Sequence, residues 1–292
     1  MLERVELSMP PQGKIAKSET TRCGDRELVI SNIAFPPGEF DAGLDVLAEL
    51  DVRAVELAPY NIFGRWDVAG REIDLLRERL DARGIRCRAM QGIVYKAGAA
   101  HLFASTAQRK LLSEHLGRVA QMAGRLGAAA CVFGAPQLRD PGEIGPQQAH
   151  AVAVAFLREL GPVFASEGTV LSFEPNARRY SCRFVTTTSE AVDLVRSAEA
   201  PGIAVQIDTG TAFLEEESPA AVASAIPYAV HAHISEPDLL PVGSVNSDHR
   251  PYSEALRKGG YKGALSIEMK QVDDWKDALR RAVAFARETY WP

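Results

Sequence analysis

The chain is expected to be an α/β protein folded into a closed (β/α)8 TIM barrel, and three observations carry that expectation. Short β-branched runs alternate with longer amphipathic stretches from residue 26 onward, the pattern of repeated strand–helix units. Eight such units fit into 292 residues, a length awkward for two ordinary domains and comfortable for one barrel of ~250 residues. Neither a G-x-G-x-x-G turn nor a Walker phosphate loop is present, which removes the usual signature of the main rival, an open doubly wound sheet. The chain 1–292 is therefore read as a single domain.

Residues 1–25 are polar and irregular, with Pro10, Pro11, Gly13 and Gly24, and receive no element. The first unit is a strand at 28–33 (LVISNI) and a helix near 40–50. A second strand at 53–57 (RAVEL) leads to a helix near 68–83, where Leu75, Leu76 and Leu80 keep the 3.6-residue rhythm and Gly84 stands at the helix end. The third pair is 85–90 (IRCRAM) with 106–126, carried by Leu112, Leu116 and Val119 and stopped at Gly127. The strand at 129–133 (AACVF) is followed by a long loop, 134–146, and a helix at 146–167. The strand at 169–174 (TVLSFE) and a helix at 188–199 end at Pro201-Gly202, a helix-stopping pair. Strands at 203–208 (IAVQID), 229–234 (AVHAHI) and 263–268 (GALSIE) alternate with helices near 217–226, 251–258 and 273–289. Strands covered by helices are expected to read as apolar runs.

Composition narrows the function classes. Hydrophobic residues make up 46% and charged residues 24%, an ordinary globular mixture. With 33 basic and 38 acidic side chains the net charge is −5, and no basic stripe marks a nucleic-acid partner. Cys23, Cys87, Cys131 and Cys182 form no short paired spacing and are read as reduced thiols of a cytoplasmic protein. The start Met1-Leu2-Glu3-Arg4 lacks a signal-peptide core, and no apolar run approaches the ~20 residues of a membrane span.

The strand ends carry the chemistry. In a barrel of this kind, sites are built where strands end, and four consecutive expected strands end at or near Glu174, Asp208, His233 and Glu268. Their spacings of 34, 25 and 35 residues are each about one βα unit, so the side chains converge only if the chain closes as a barrel. Three carboxylates and an imidazole make a hard site suited to one divalent ion, Mn2+ or Mg2+ first, with Zn2+ or Co2+ also compatible. His231 points the same way as His233 but sits lower on the strand, as a buried hydrogen-bonded residue. His101, His115 and His150 are read as surface or packing residues.

At these residues the sequence resembles the xylose isomerase-like TIM barrels, a family of sugar and sugar-phosphate isomerases and epimerases, over residues 28–290. The matching segments are Glu174-Pro175-Asn176, Asp208-Thr209, His233-Ile234-Ser235-Glu236 and the run Gly260-Tyr261-Lys262-Gly263-Ala264-Leu265-Ser266-Ile267-Glu268. Ser31-Asn32-Ile33-Ala34-Phe35 and Glu56-Leu57-Ala58-Pro59 are also family-like. The resemblance implies one divalent ion held by Glu174, Asp208, His233 and Glu268, with substrate oxygens completing its shell. For epimerases it implies that Glu174 and Glu268 flank the carbon that loses and regains a proton, through a cis-enediolate in a C3 epimerisation. Two departures stand out: Thr211 occupies the place of a substrate-binding histidine, and Glu236-Pro237-Asp238-Leu239-Leu240-Pro241-Val242-Gly243-Ser244 replaces an arginine followed by a Pro-Gly-x-Gly stretch.

Around that centre Glu56, Gln91, Asn176, Glu236 and His249 are candidate substrate contacts, a salt bridge being the other reading of Glu56. Arg178 and Arg179 are either a carboxylate- or phosphate-binding pair or a solvated one. Tyr60, Phe63 and Trp66, with Phe35, either stack on a sugar face or pack as irregular helix on the rim. The expected activity is a metal-dependent keto-sugar isomerase or epimerase that needs no organic cofactor. The alternatives are a metal-dependent dehydratase or lyase of a cyclic polyol or keto-sugar, an abasic-site endonuclease, and a non-catalytic barrel. The endonuclease requires further histidines on strands 2 to 4 that this chain lacks. The expected partner is a small sugar or polyol, with no nucleic acid and no membrane; pairing of barrels into a homo-oligomer is left open, because no helix face is singled out.

Overall fold

The computed structural model describes residues 26–292; the irregular segment 1–25, with Cys23, lies outside the described residues. Eight parallel strands close in sequence order: β1 (Glu27–Ser31), β2 (Ala54–Leu57), β3 (Arg86–Met90), β4 (Ala130–Phe133), β5 (Val170–Phe173), β6 (Ile203–Asp208), β7 (Ala229–Ser235) and β8 (Ala264–Glu268). Closure is made by β8 against β1, with Glu27 opposite Ala264 and Ile30 opposite Ile267. The expected (β/α)8 TIM barrel is the observed fold.

The helices are α1 (Phe40–Glu49), α2 (Pro59–Phe63), α3 (Gly70–Asp81), α4 (Thr106–Leu126), α5 (Pro146–Ser166), α6 (Thr188–Ala198), α7 (Thr209–Leu214), α8 (Pro219–Ser224), α9 (Arg250–Lys258) and α10 (Trp275–Tyr290). Several ends have local causes. Ser105 caps α4 by accepting from the Gln108 amide, and Gly127 closes it in the left-handed conformation at φ 74°. Thr187 and Glu190 form a capping box on α6. The short helices α2 and α7 were not expected, because five or six residues are too few to show a helical period. No helix among the described residues is long and apolar enough to cross a membrane.

The main core lies between barrel and helices, not inside the barrel. Val55, Leu57, Leu171, Phe173, Val205, Ile207, Ala232, Ile234, Leu265 and Ile267 all face it. Because strand side chains alternate, the intervening residues of the same strands turn inward. At the bottom these are small: Val29, Ala54 and Ala264 form a separate buried cluster. Above them lie Glu56, Ser172, Gln206, His231 and Ser266, all with no solvent exposure. The expected apolar character therefore holds on the outward faces, while at this level the inner faces of β2 and β5 to β8 are polar.

Close packing between α5 and the turn before β6 rests on two glycines. A Cβ at Gly161 would overlap the Pro201 carbonyl oxygen, and one at Gly202, where φ is 73°, would overlap the Gly161 oxygen. Gly161→Ala is expected to lower stability by about 1–3 kcal/mol through overpacking. A urea midpoint shifted down at unchanged slope would show it.

Candidate metal centre

The strand tips meet. One ligand atom from each of Glu174, Asp208, His233 and Glu268 lies within 4.8 Å of the others, and all four residues are buried. His233 Nδ1 is the hub, 3.1 Å from Glu174 Oε1, 3.5 Å from Asp208 Oδ2 and 3.1 Å from Glu268 Oε2. Glu174 Oε1 and His233 Nδ1 are nevertheless buried without a hydrogen-bond partner. Orphaned acceptors facing one point, in a hard donor set, fit a divalent cation.

The chain holds these groups in place from below. Glu56 accepts from both imidazoles, His231 Nε2 at 3.1 Å and His233 Nε2 at 3.2 Å, and from Ser266 Oγ at 2.7 Å. Since an ionised carboxylate only accepts, His233 donates through Nε2 and turns Nδ1 toward the three carboxylates, so that Nδ1, once its proton is given up, is the nitrogen aimed at a cation, the arrangement that orients a metal-binding histidine. Burial opposes ionisation of Glu56, but His233 and His231 hold its carboxyl far below the ordinary range. Burial pulls His231 the other way and keeps it below its usual value. Glu56, His231 and His233 also lie close enough to form a second group able to hold a cation. Among the two histidines of β7 the upper one reaches the site and the lower one is buried and hydrogen-bonded, as expected.

The walls are equally specific. Asn176 donates through Nδ2 to Glu174 Oε2 at 2.8 Å, while its Oδ1 accepts from Arg139 at 2.7 Å. Glu174 thus has one oxygen fastened and one free. Asp208 accepts from the Thr211 amide at 2.5 Å and from Ser235 Oγ at 3.2 Å, which caps α7 and fixes the carboxylate together. Gly134 leaves room for the Glu174 carboxylate, since a Cβ there would overlap its Oε2.

The outer candidates divide. Gln91 lines the cavity of about 570 Å3 at the mouth, beside Glu174 and Tyr180, and its amide also donates to Ser31 Oγ at 2.5 Å. Glu56 is turned inward with no exposure, which matches its ion-pair reading and leaves it no face on the cavity. Asn176 uses both ends of its amide on protein groups. Glu236 and His249 also face the protein: both side chains are 0% exposed, His249 Nε2 lies 3.2 Å from Glu236 Oε1, and His249 Nδ1 meets the Tyr290 hydroxyl at 2.8 Å. Arg178 pairs with Glu215, and Arg179 forms a two-pronged bridge to Asp238 at 2.8 and 2.9 Å. Tyr60 and Phe63 lie on α2, and Trp66 packs on Tyr60 with ring centres 6.1 Å apart. His115 is buried against the Ile93 carbonyl at 2.6 Å. Residues given no role from the sequence include Arg139, Ser235 and Gly134. Ser235 stands inside the His233–Glu236 segment and Gly134 directly after a strand end, whereas Arg139 carries no sequence signal.

Protons compete with a cation here. Burial pushes the Glu268 carboxyl up to about 7, despite the pull of His233. Burial would depress His233, but Glu268 and Glu56 hold it well above its ordinary value. In the metal-free protein a raised Glu268 contributes stability that is present below its unfolded pKa near 4.5 and lost as pH rises through about 7. Metal binding requires both groups to give up their protons, so affinity for Mn2+ is expected to rise with pH across neutrality. Calorimetry in buffers of different ionisation enthalpy should count more protons released at pH 6 than at pH 8.5. A pH-independent affinity would contradict this electrostatic picture.

A (β/α)8 barrel with carboxylates and an imidazole gathered where its strands end defines a protein with a divalent-cation type of site at the barrel mouth. The chain belongs to the xylose isomerase-like TIM barrel family, whose model matches residues 44–289. Among solved structures it is similar to D-psicose 3-epimerase in the presence of D-fructose (TM-score 0.78, 18% identity, covering 91% of this chain and 100% of that one). D-psicose 3-epimerase with D-tagatose from Clostridium cellulolyticum H10 gives TM-score 0.78 and 18% identity, covering 90% and 99%. Apo 3-keto-D-glucoside 4-epimerase from E. coli gives TM-score 0.71 and 19% identity, covering 90% and 100%. At these identities the likeness is one of fold. No curated protein sequence matches the chain.

Proposed function

We propose that this protein is a divalent-metal-dependent isomerase or epimerase of a keto-sugar, with Mn2+ or Mg2+ as the ion and Glu174 and Glu268 as the proton-transferring pair. One observation carries the reading: Glu174 and Glu268 approach His233 Nδ1 to the same 3.1 Å from strands separated by β6 and β7. Two carboxylates so placed address opposite faces of a substrate seated between them. The epimerase names of structurally similar proteins support the substrate class.

Glu174, Asp208, His233 and Glu268 would hold the ion, which when bound supplies Lewis-acid stabilisation of negative charge developing on a substrate oxygen. One glutamate takes the proton next to the carbonyl and the other returns a proton to the opposite face. Asn176 fixes Glu174 Oε2 and so decides which oxygen of that base is available. Gln91 lies in reach of a sugar hydroxyl on the cavity wall. The three free buried cysteines, Cys87, Cys131 and Cys182, suit a reducing cytoplasm.

The test is solvent-deuterium exchange by the manganese-loaded protein over a panel of ketoses. Deuterium entering next to the carbonyl of an intact carbon skeleton is the expected result. Loss of water from the substrate would assign the dehydratase reaction instead, and no exchange with any ketose would overturn the reading.

A further inference from the structure

The mouth cavity carries a charge that keto-sugar chemistry leaves unused. Among its lining residues only Glu174 and Lys96 are charged. Lys96 lies between β3 and α4 in the left-handed backbone conformation, φ 55°, which side-chain-bearing residues rarely adopt and which tends to mark functional loops. Its ammonium stands 5.2 Å from the ring centre of Tyr60 and 5.3 Å from that of Tyr95, within cation–π range of both. The two rings meet edge to face at 5.4 Å. Trp66 Nε1 donates to the Tyr95 carbonyl at 2.7 Å, tying this loop to the segment after α2.

No carboxylate neutralises Lys96 among the described residues. Of the arginines that follow β5, Arg178 is spent on Glu215 and Arg179 on Asp238. Among the residues that line the cavity Lys96 is thus the one cation, unpaired with a carboxylate, seated on aromatic faces and sharing the wall with Glu174.

We propose that the substrate carries an anionic terminus, a carboxylate or a phosphate, which Lys96 receives with Tyr60 and Tyr95 flanking it; this rests on the keto-sugar reading and narrows its substrate class. Three carboxylates outweigh the two positive charges of the ion they would hold, so the centre itself does not attract an acid, and a cation at one point of the wall favours an anionic group there only. Charge then selects which end of the sugar lies away from the glutamates, so Lys96 contributes orientation as well as affinity.

Binding to the manganese-loaded protein tests this without relying on turnover. Calorimetry would compare D-glucitol, D-gluconate and D-glucitol 6-phosphate on the wild type, Lys96→Met and Lys96→Arg, with thermal midpoints checking that each variant is folded. At least one anion should bind tenfold or more tighter than glucitol, a preference that Lys96→Met removes and Lys96→Arg largely keeps; the better anion identifies carboxylate or phosphate. Equal binding of glucitol and both anions, no binding of either anion, or a preference that survives in Lys96→Met overturns the inference. Deuterium exchange with D-fructose, D-fructose 6-phosphate and D-fructuronate is run in parallel. An intact, Lys96-dependent anion preference with no exchange sinks the epimerase reading alone, whereas exchange without anion preference sinks this one alone.

Discussion

Glu268→Gln is expected to reduce epimerisation by about 10²–10⁴-fold, the range for loss of a positioned proton-transfer group. The effect should fall on kcat rather than KM when measured with saturating Mn2+, because the amide keeps the size of the side chain and one oxygen for the cation. Glu174→Gln should show a matching loss. The informative readout is stereochemical. If the two glutamates serve opposite faces, each variant still exchanges the proton of the epimer facing its remaining base while failing to interconvert the epimers. Equal exchange from both epimers in either variant would mean that a single base works both faces.

The second large effect is on stability. Glu56→Ala removes a carboxylate with no solvent exposure that accepts from His231, His233 and Ser266. These donors, and the Gln91 amide at 3.5 Å, are left facing a void, a change that costs about 3–5 kcal/mol, and denaturant unfolding would measure it. Glu56→Gln is the finer probe. It fills the space and keeps one acceptor oxygen for the two histidines, but it carries no charge and turns an N–H group toward Ser266, so the ionic hold that fixes the His233 tautomer is weakened. Metal affinity is expected to drop about 10–100-fold with a smaller loss of stability. An unchanged affinity would mean that His233 is oriented by packing alone.

How much of this was legible beforehand depends on geometry that a sequence can or cannot carry. All eight strands, the seven longer helices and the short α8 can be read, because alternation of β-branched runs and amphipathic stretches is a local signal. Glu174, Asp208, His233 and Glu268 could be read because their spacing repeats the βα unit. Glu56 also stands near the end of a strand, yet it lies one layer deeper. Barrel strands are staggered, so position along a strand does not give depth along the barrel axis. That stagger sets Ser31 opposite Glu56 and His231 opposite Ala264, and no single strand reveals it.

Glu236 and His249 illustrate a second limit. Both are polar and lie near the right strand ends, so they read as substrate contacts. What turns them into the protein is Tyr290, whose hydroxyl meets His249 across 41 residues of sequence. Arg139 is similar: a charged loop residue gave no cue that it would be fully enclosed, donating to the Glu174 carbonyl at 2.8 Å. Of the polar residues on the inner faces of β5 to β8, His231 is legible from its place two residues below His233, whereas Ser172, Gln206 and Ser266 carry no such cue and are masked by the apolar character of their strands.

The link from Tyr290 through His249 to Glu236 makes the final helical turn a keystone for the wall behind β7. Next to it Trp291 Nε1 donates to the Arg26 carbonyl at 3.1 Å, stitching that turn to the entrance of β1. Trimming the chain back past Tyr290 would therefore disturb the strand that carries His233, although neither Tyr290 nor Trp291 lines the cavity.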